Sequence, residues 1–185
     1  ETPLSIQVHP DDALSKERHN SFGKNEMWVV MESDEDAELI VGFNQKITKE
    51  DYFNHIKNNT LTTVLNTEKV KKGDVYYIPA GRVHAIGAGV LLAEIQQTSN
   101  VTYRIYDYDR VDPQTGSLRE LHTELALDAI NFDLVDEYKT KYNLNVNATN
   151  PLVHSPFFKT NILKVEGHLS RDYSQLDSFV IYISL

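Results

Sequence analysis

The hexapeptide Leu4-Ser5-Ile6-Gln7-Val8-His9 alternates apolar and polar residues with a period of two, the pattern of a strand whose two faces meet different surroundings. Leu4, Ile6 and Val8 share one face; Ser5, Gln7 and His9 share the other. Taken alone, such a strand has a core face and a wet face, which leaves His9 solvated. Far down the chain, Gly73-Asp74-Val75-Tyr76-Tyr77-Ile78-Pro79-Ala80-Gly81-Arg82-Val83-His84 is a second strand-like run that closes on a histidine. Further short strands are expected over 26–32, 37–43, 62–65, 75–78, 90–96 and 101–108, separated by turn residues. Many short strands at near-regular spacing call for a sandwich or a jelly-roll barrel.

Helices are few. Asp11 or Asp12 can cap a short one after the first strand, and Thr48 with Asp51 has the spacing of a capping box ahead of Tyr52, Phe53 and Ile56. Ser117-Leu118-Arg119-Glu120 repeats that capping pattern, and Leu118, Leu121, Leu125 and Ala129 predict a helix connecting two β units. Residues 138–156 are polar and rich in Asn and Thr, which reads as an irregular linker. Residues 161–165 and 179–183 look like strands again, the opening of a second β unit. The expected division is therefore 1–112, a connector and linker over 113–156, and a truncated second unit over 157–185. The chain begins with Glu1 and stops inside the run Ser178–Leu185, so a piece of a longer protein is expected.

With 185 residues, 41% of them hydrophobic, the chain can bury roughly 70% of its unfolded surface. A formal net charge of −9 argues against nucleic acid or an anionic membrane as partner. An anionic small substrate needs local arginines or lysines. Cysteine is absent, which removes disulfides and thiolate metal sites and fits a reducing cytoplasm. No apolar run approaches the ~20 residues of a membrane-spanning helix.

The spacing of Gly73, Pro79, Gly81 and His84 resembles the second signature motif of the cupin superfamily, with Ala88 where that pattern ends in Asn. Four blocks narrow the resemblance: LSIQVHPDD over 4–12, GKNEMW over 23–28, PAGRVHAI over 79–86 and EIQQTSNVTYRIYDYDR over 94–110. In this order they are similar to the class I mannose-6-phosphate isomerases, the zinc-dependent cupins, and most of all to the shorter bacterial members. The resemblance runs from residue 4 to about residue 133 and implies a mainly β cupin jelly roll with a few helices, followed by the start of a second cupin-like unit. It also implies a metal bound by Gln7, His9, Glu26 and His84. Arg104 matches the family's active-site arginine, and Lys24 stands two residues before the ligand glutamate.

The residue types fit that chemistry. Two imidazoles, a carboxylate and an amide oxygen suit Zn²⁺ with an open position, and they also accept Fe²⁺, Co²⁺, Ni²⁺ or Mn²⁺. Gln7 is either a direct ligand or a residue behind the ligands. Moving a proton between C1 and C2 of a sugar phosphate through an enediol needs a stabilised oxygen anion and a base. Arg104 can hold anionic oxygens or help open the ring, and Lys24 can stabilise charge or meet the phosphate. Some relatives carry Asp where this chain has Asn100, which cannot accept a proton; Glu94 or a water at the metal is then the base.

Plainer readings exist for each. Arg104 and Lys24 without family context are solvated or ion-paired, and Trp28, Tyr103, Tyr106 and Tyr108 are core aromatics by default. Arg82 is open between phosphate contact and structure, and His19, His55, His122, His154 and His168 carry no assigned function. The rivals to an isomerase are a non-catalytic cupin module that binds a sugar or regulates a partner, and another cupin enzyme such as an epimerase or dioxygenase.

Overall fold

A computed structural model describes residues 2–184 of the protein. By internal contacts the chain divides into two compact units, Glu1–Thr140 and Lys141–Leu185. In the first unit the order is β1 (Ile6–Val8), α1 (Asp12–His19), β2 (Glu26–Ser33), β3 (Glu38–Phe43), α2 (Lys49–Lys57), a 3₁₀ turn (Leu61–Val64), β4 (Leu65–Lys69), β5 (Val75–Ile78), β6 (His84–Ile86), β7 (Val90–Gln96), β8 (Tyr103–Tyr106) and α3 (Thr123–Ala129). All strand pairs are antiparallel. They form a five-stranded sheet ordered β4-β3-β6-β1-β8 and a three-stranded sheet ordered β5-β2-β7. The mainly β jelly-roll expectation holds.

Period-two alternation decides which side chains meet where. Ile6, Val8, Val83, Ala85, Tyr103 and Ile105 enter a core that also takes Tyr52 from α2 and Ala126 from α3. The helices therefore cover one face of the five-stranded sheet. From its other face Leu39 and Val41 of β3 pack with Trp28, Val30, Tyr76 and Ile78 of the three-stranded sheet. Gln7 lies opposite His84 on one side and opposite Arg104 on the other, so these three residues share the face turned towards the second sheet. Across that second sheet Glu26 sits between Ile78 and Gln96, and Trp28 lies opposite Glu94.

Two helix starts are as read. The Asp11 carboxylate accepts the Leu14 N–H at 2.8 Å, and Thr48 and Asp51 cap each other's backbone N–H groups reciprocally. Gly42, at φ +70°, marks a bulge in β3, and a Cβ there would lie 2.3 Å from the Tyr138 hydroxyl. That hydroxyl donates to the Phe43 carbonyl and accepts the Phe43 N–H, both at 3.0 Å.

Other elements differ from the sequence reading. Residues 62–65 fall mostly in the 3₁₀ turn, with the strand following at Leu65–Lys69. His84 does not end a strand; β5 stops at Ile78, a turn through Pro79 and Gly81 intervenes, and His84 opens β6. The helix expected from Ser117 begins only at Thr123. Non-local bonds claim the intervening backbone: Ser117 accepts the Asp112 N–H, His122 donates its N–H to the Arg104 carbonyl at 2.7 Å, and Arg104 Nη1 donates to the Glu120 carbonyl at 2.8 Å. Each such bond satisfies a group that a helix would otherwise need. α3 packs Ala126, and Ile130 just after it, into the first unit's core.

The second unit holds an antiparallel hairpin, β9 (Asn150–His154) and β10 (Lys159–Ile162). β9 lies within the stretch expected to be irregular. Asn150, 2% exposed, accounts for its start: its amide donates to the carbonyls of Asn145 and Ala148 at 3.0 Å and accepts the Asn145 N–H at 2.8 Å. Residues 179–183 form no strand, and Phe179 and Ile181 are 82% and 72% exposed. Among the described residues no second strand pairs with them, and a lone strand leaves its backbone groups unbonded. Leu185, which ends the run Ser178–Leu185, lies outside the described residues.

Candidate metal centre

Three strands from two sheets bring His9, Glu26 and His84 to one point. Each is 1% exposed, and one ligand atom from each lies within 4.8 Å of the others. Glu26 Oε1 is 3.3 Å from His84 Nε2, Glu26 Oε2 is 3.5 Å from His9 Nε2, and the two imidazole centroids are 4.8 Å apart. Burying polar face residues this deeply is costly unless they find partners. Yet among the described residues His9 Nε2 and Glu26 Oε1 have no hydrogen-bond partner, and Glu26 Oε2 has none beyond its ion pair with Lys24.

The far side of each ring explains the arrangement. His9 Nδ1 donates to the Val101 carbonyl at 3.0 Å, and His84 Nδ1 donates to the Arg82 carbonyl at 2.8 Å. With the proton held on Nδ1, each Nε2 presents its lone pair inwards, as a metal-ligating imidazole requires. The Trp28 ring meets His84 edge-on at 5.4 Å and fixes the ring from the side. The turn before His84 is equally constrained: Gly81, at φ +88°, donates its N–H to the His9 carbonyl at 2.8 Å and thereby ties the two histidine segments directly.

Electrostatics agree with ligating protonation states. Burial pushes the Glu26 carboxyl up, but the imidazoles of His84 and His9 and the ammonium of Lys24 together outweigh it and bring it to about 2. Burial lowers His84 to about 4 against the pull of Glu26. At neutral pH the pair is a carboxylate and a neutral imidazole, the forms a cation binds. The donor set contains nitrogen and oxygen only, which suits a divalent first-row ion. The unsatisfied inward-facing atoms and the orienting carbonyls fit such an ion, and this group could hold one.

The remaining candidates are arranged around the trio. Gln7 Nε2 lies 3.3 Å from His84 Nε2, so its amide touches the same point, and a half turn would present the oxygen there. Lys24, 12% exposed, bridges Glu26 Oε2 at 3.1 Å and Glu94 Oε1 at 3.5 Å. Glu94 is 32% exposed and lies on the strand beside Trp28. Arg104 stands opposite Gln7 with Nη1 on the Glu120 carbonyl and a buried Nε that has no partner among the described residues. Asn100 is exposed.

Several other sequence candidates lie elsewhere. Tyr103 is buried in the helix-covered core and its hydroxyl bonds His19 at 2.7 Å. Arg82 reaches the Tyr77 carbonyl and lies over the Tyr138 ring. His55, His122 and His154 make contacts with Thr60, the Arg104 N–H and Asn161. The carbonyls of Val101 and Arg82, which aim the two imidazoles, had no signal in the sequence, because any residue type supplies a carbonyl.

Among the described residues no helix is long and apolar enough to cross a membrane. No family model matches the chain. It is 38% identical over 170 residues to the mannose-6-phosphate isomerase ManA of Bacillus subtilis, covering 90% of this chain and 53% of that protein. It is 39% identical over 165 residues to the mannose-6-phosphate isomerase of Streptococcus mutans, covering 89% of this chain and 52% of that protein. The crystal structure of the mannose 6-phosphate isomerase from Bacillus subtilis superposes with a TM-score of 0.78 at 36% identity, over 86% of this chain and 51% of that one. The chain thus spans about half the length of the relatives it matches.

Proposed function

Because the chain is a relative of the bacterial mannose-6-phosphate isomerases of the cupin superfamily along most of its length, we propose that the protein it represents interconverts mannose 6-phosphate and fructose 6-phosphate. The observation that carries this reading is the convergence of His9, Glu26 and His84, widely separated in sequence, around one buried point. In this reading the ion is zinc, held by those three residues and by the amide oxygen of Gln7, and it supplies a positive charge that polarises the substrate's oxygens. The setting is the cytoplasm, which the cysteine-free sequence fits.

The chain's own residues do the rest. Glu94, partly open to solvent and paired only loosely with Lys24, accepts the proton from one of the two adjacent carbons and returns it to the other. Asn100 has no such capacity. The Lys24 ammonium, shared between Glu26 and Glu94, balances negative charge that develops on the enediol oxygens. Arg104, opposite Gln7 in the strand register, offers a second cation for ring opening or for holding anionic oxygens.

A coupled assay of the full-length protein with and without a chelator tests this. Turnover of mannose 6-phosphate should vanish on metal removal and return with Zn²⁺. His84→Ala should abolish it in a folded chain, and Glu94→Gln should lower kcat by about 10²–10⁴-fold with metal still bound. Turnover that survives metal removal refutes the mechanism; none in metal-replete full-length protein refutes the function and leaves a non-catalytic cupin.

A further inference from the structure

The segments that carry the three candidate ligands are joined by a neutral hydrogen-bond cluster centred on Asn25 and Gln97. Asn25, 8% exposed, immediately precedes Glu26. Its side-chain oxygen accepts the Ala80 N–H at 3.0 Å and the Tyr77 hydroxyl at 3.3 Å, which secures the turn leading to His84. Its Nδ2 donates to Gln97 Oε1 at 2.7 Å, and the same oxygen accepts the Asn25 backbone N–H at 2.8 Å. The Gln97 N–H returns to the Asn25 carbonyl at 2.9 Å. From there Gln97 Nε2 donates to Asp12 Oδ1 at 3.2 Å, three residues past His9, and that oxygen also accepts the Gly23 N–H at 2.7 Å. Glu26, His9 and His84 thus stand on three segments that these two amides join, beside the direct Gly81 to His9 backbone bond.

We propose that Asn25 and Gln97 are positioning residues that hold the β2 start, the loop after His9 and the turn before His84 at the separation a single cation needs. This inference rests on the metal-site reading above. The two amides bond no ligand atom and are themselves uncharged, with Asp12 the one carboxylate of the network, so they act through geometry. Amides suit the task because each offers donors and acceptors together, and Asn25 uses its oxygen twice and its nitrogen once at nearly full burial. Groups behind a metal's ligands typically change affinity by about 10–100-fold when removed.

The test is Co²⁺ binding by the metal-stripped protein, read as affinity by chelator competition and as the visible d–d spectrum, which responds to ligand geometry and not to stability. Asn25→Ala and Gln97→Ala should each weaken Co²⁺ binding by about 10–100-fold and alter the spectrum. Asp36→Asn serves as the control, because it breaks the exposed Lys69 ion pair in the turn between β2 and β3 and should leave both readouts unchanged. Should an alanine variant fail to fold, Gln97→Glu is measured instead; it keeps the oxygen that Asn25 uses and sets a second carboxylate against Asp12. Folded variants with wild-type affinity and spectrum overturn the brace. A wild type that binds no Co²⁺ overturns the metal-site reading, and the brace with it.

Discussion

Glu26→Gln separates what the buried carboxylate does for a metal from what it does for the fold. The substitution keeps the side chain's size and removes its charge. That charge is 1% exposed and lies 3.1 Å from Lys24 Nζ, 3.3 Å from His84 Nε2 and 3.5 Å from His9 Nε2. Burying an ion costs several kcal/mol, and losing one partner of a buried pair is damaging chiefly when it strands the other. Here Lys24 keeps Glu94 at 3.5 Å. A carboxyl that its neighbours bring down to about 2 is more stable charged than neutral, so the metal-free variant should be weaker than the metal-free parent by about 1–3 kcal/mol, or roughly 2–12 °C for a chain of this size.

With metal the two should part further. A ligand present at a hundred times its dissociation constant stabilises the folded state by about 2.7 kcal/mol, which corresponds to roughly 5–11 °C. If the variant binds a hundredfold more weakly, the same concentration supplies only about 0.4 kcal/mol, or roughly 1 °C. Thermal unfolding of both proteins in chelator and in Zn²⁺ at one protein concentration reads all four values. An equal metal-induced rise in the variant would show that the carboxylate is not a ligand. A metal-free variant weakened by more than about 3 kcal/mol would show that Glu26 holds the fold together.

Asp107, 4% exposed, is pushed up by burial and drawn down further by Arg119 and Arg110, so its carboxyl sits below the usual range. A depressed carboxyl contributes stability that is present above its unfolded pKa and lost as pH falls through the folded one; Asp107→Asn should cost about 2–3 kcal/mol at neutral pH and flatten the acid limb of a denaturant-melt series, and an unchanged limb would refute the pairing. Gly81→Ala should destabilise by about 1–3 kcal/mol, because φ is +88° and the new Cβ would lie 2.9 Å from the Ala129 carbonyl oxygen; it should also weaken metal binding, since Gly81 links the His9 carbonyl to the turn before His84, and an unaffected affinity would rule out that linkage.

How far the sequence revealed the site depends on which interactions are local. The alternation in Leu4–His9 identifies the strand and assigns Gln7 and His9 to one face, but not that this face is buried. Ile6 and Val8 lie under helices, and Gln7 and His9 lie between two sheets, so both faces are interior. Burial of the polar face is a property of the second sheet's position, which no period-two pattern encodes. His84 is legible because Gly73, Pro79 and Gly81 make a recognisable motif before it, whereas His9 is singled out by the block over 4–12. The carbonyls of Val101 and Arg82 that orient them are not legible.

The failed helix start at Ser117 teaches the same lesson from the other side. A capping box is a preference of four consecutive residues worth about 1 kcal/mol, whereas Arg119 binds the buried Asp107 and His122 and Glu120 bond β8 at Arg104. Several non-local bonds outweigh one local preference. This displacement brings the Glu120 carbonyl to Nη1 of Arg104, the residue opposite Gln7 on β8. Had the helix begun at Ser117, its backbone carbonyls would have been committed to the helix's own N–H groups, and Arg104 would have lost the acceptor that anchors it. The error in the local reading therefore coincides with the segment that fixes a candidate active-site cation, as expected where tertiary demands override local propensity.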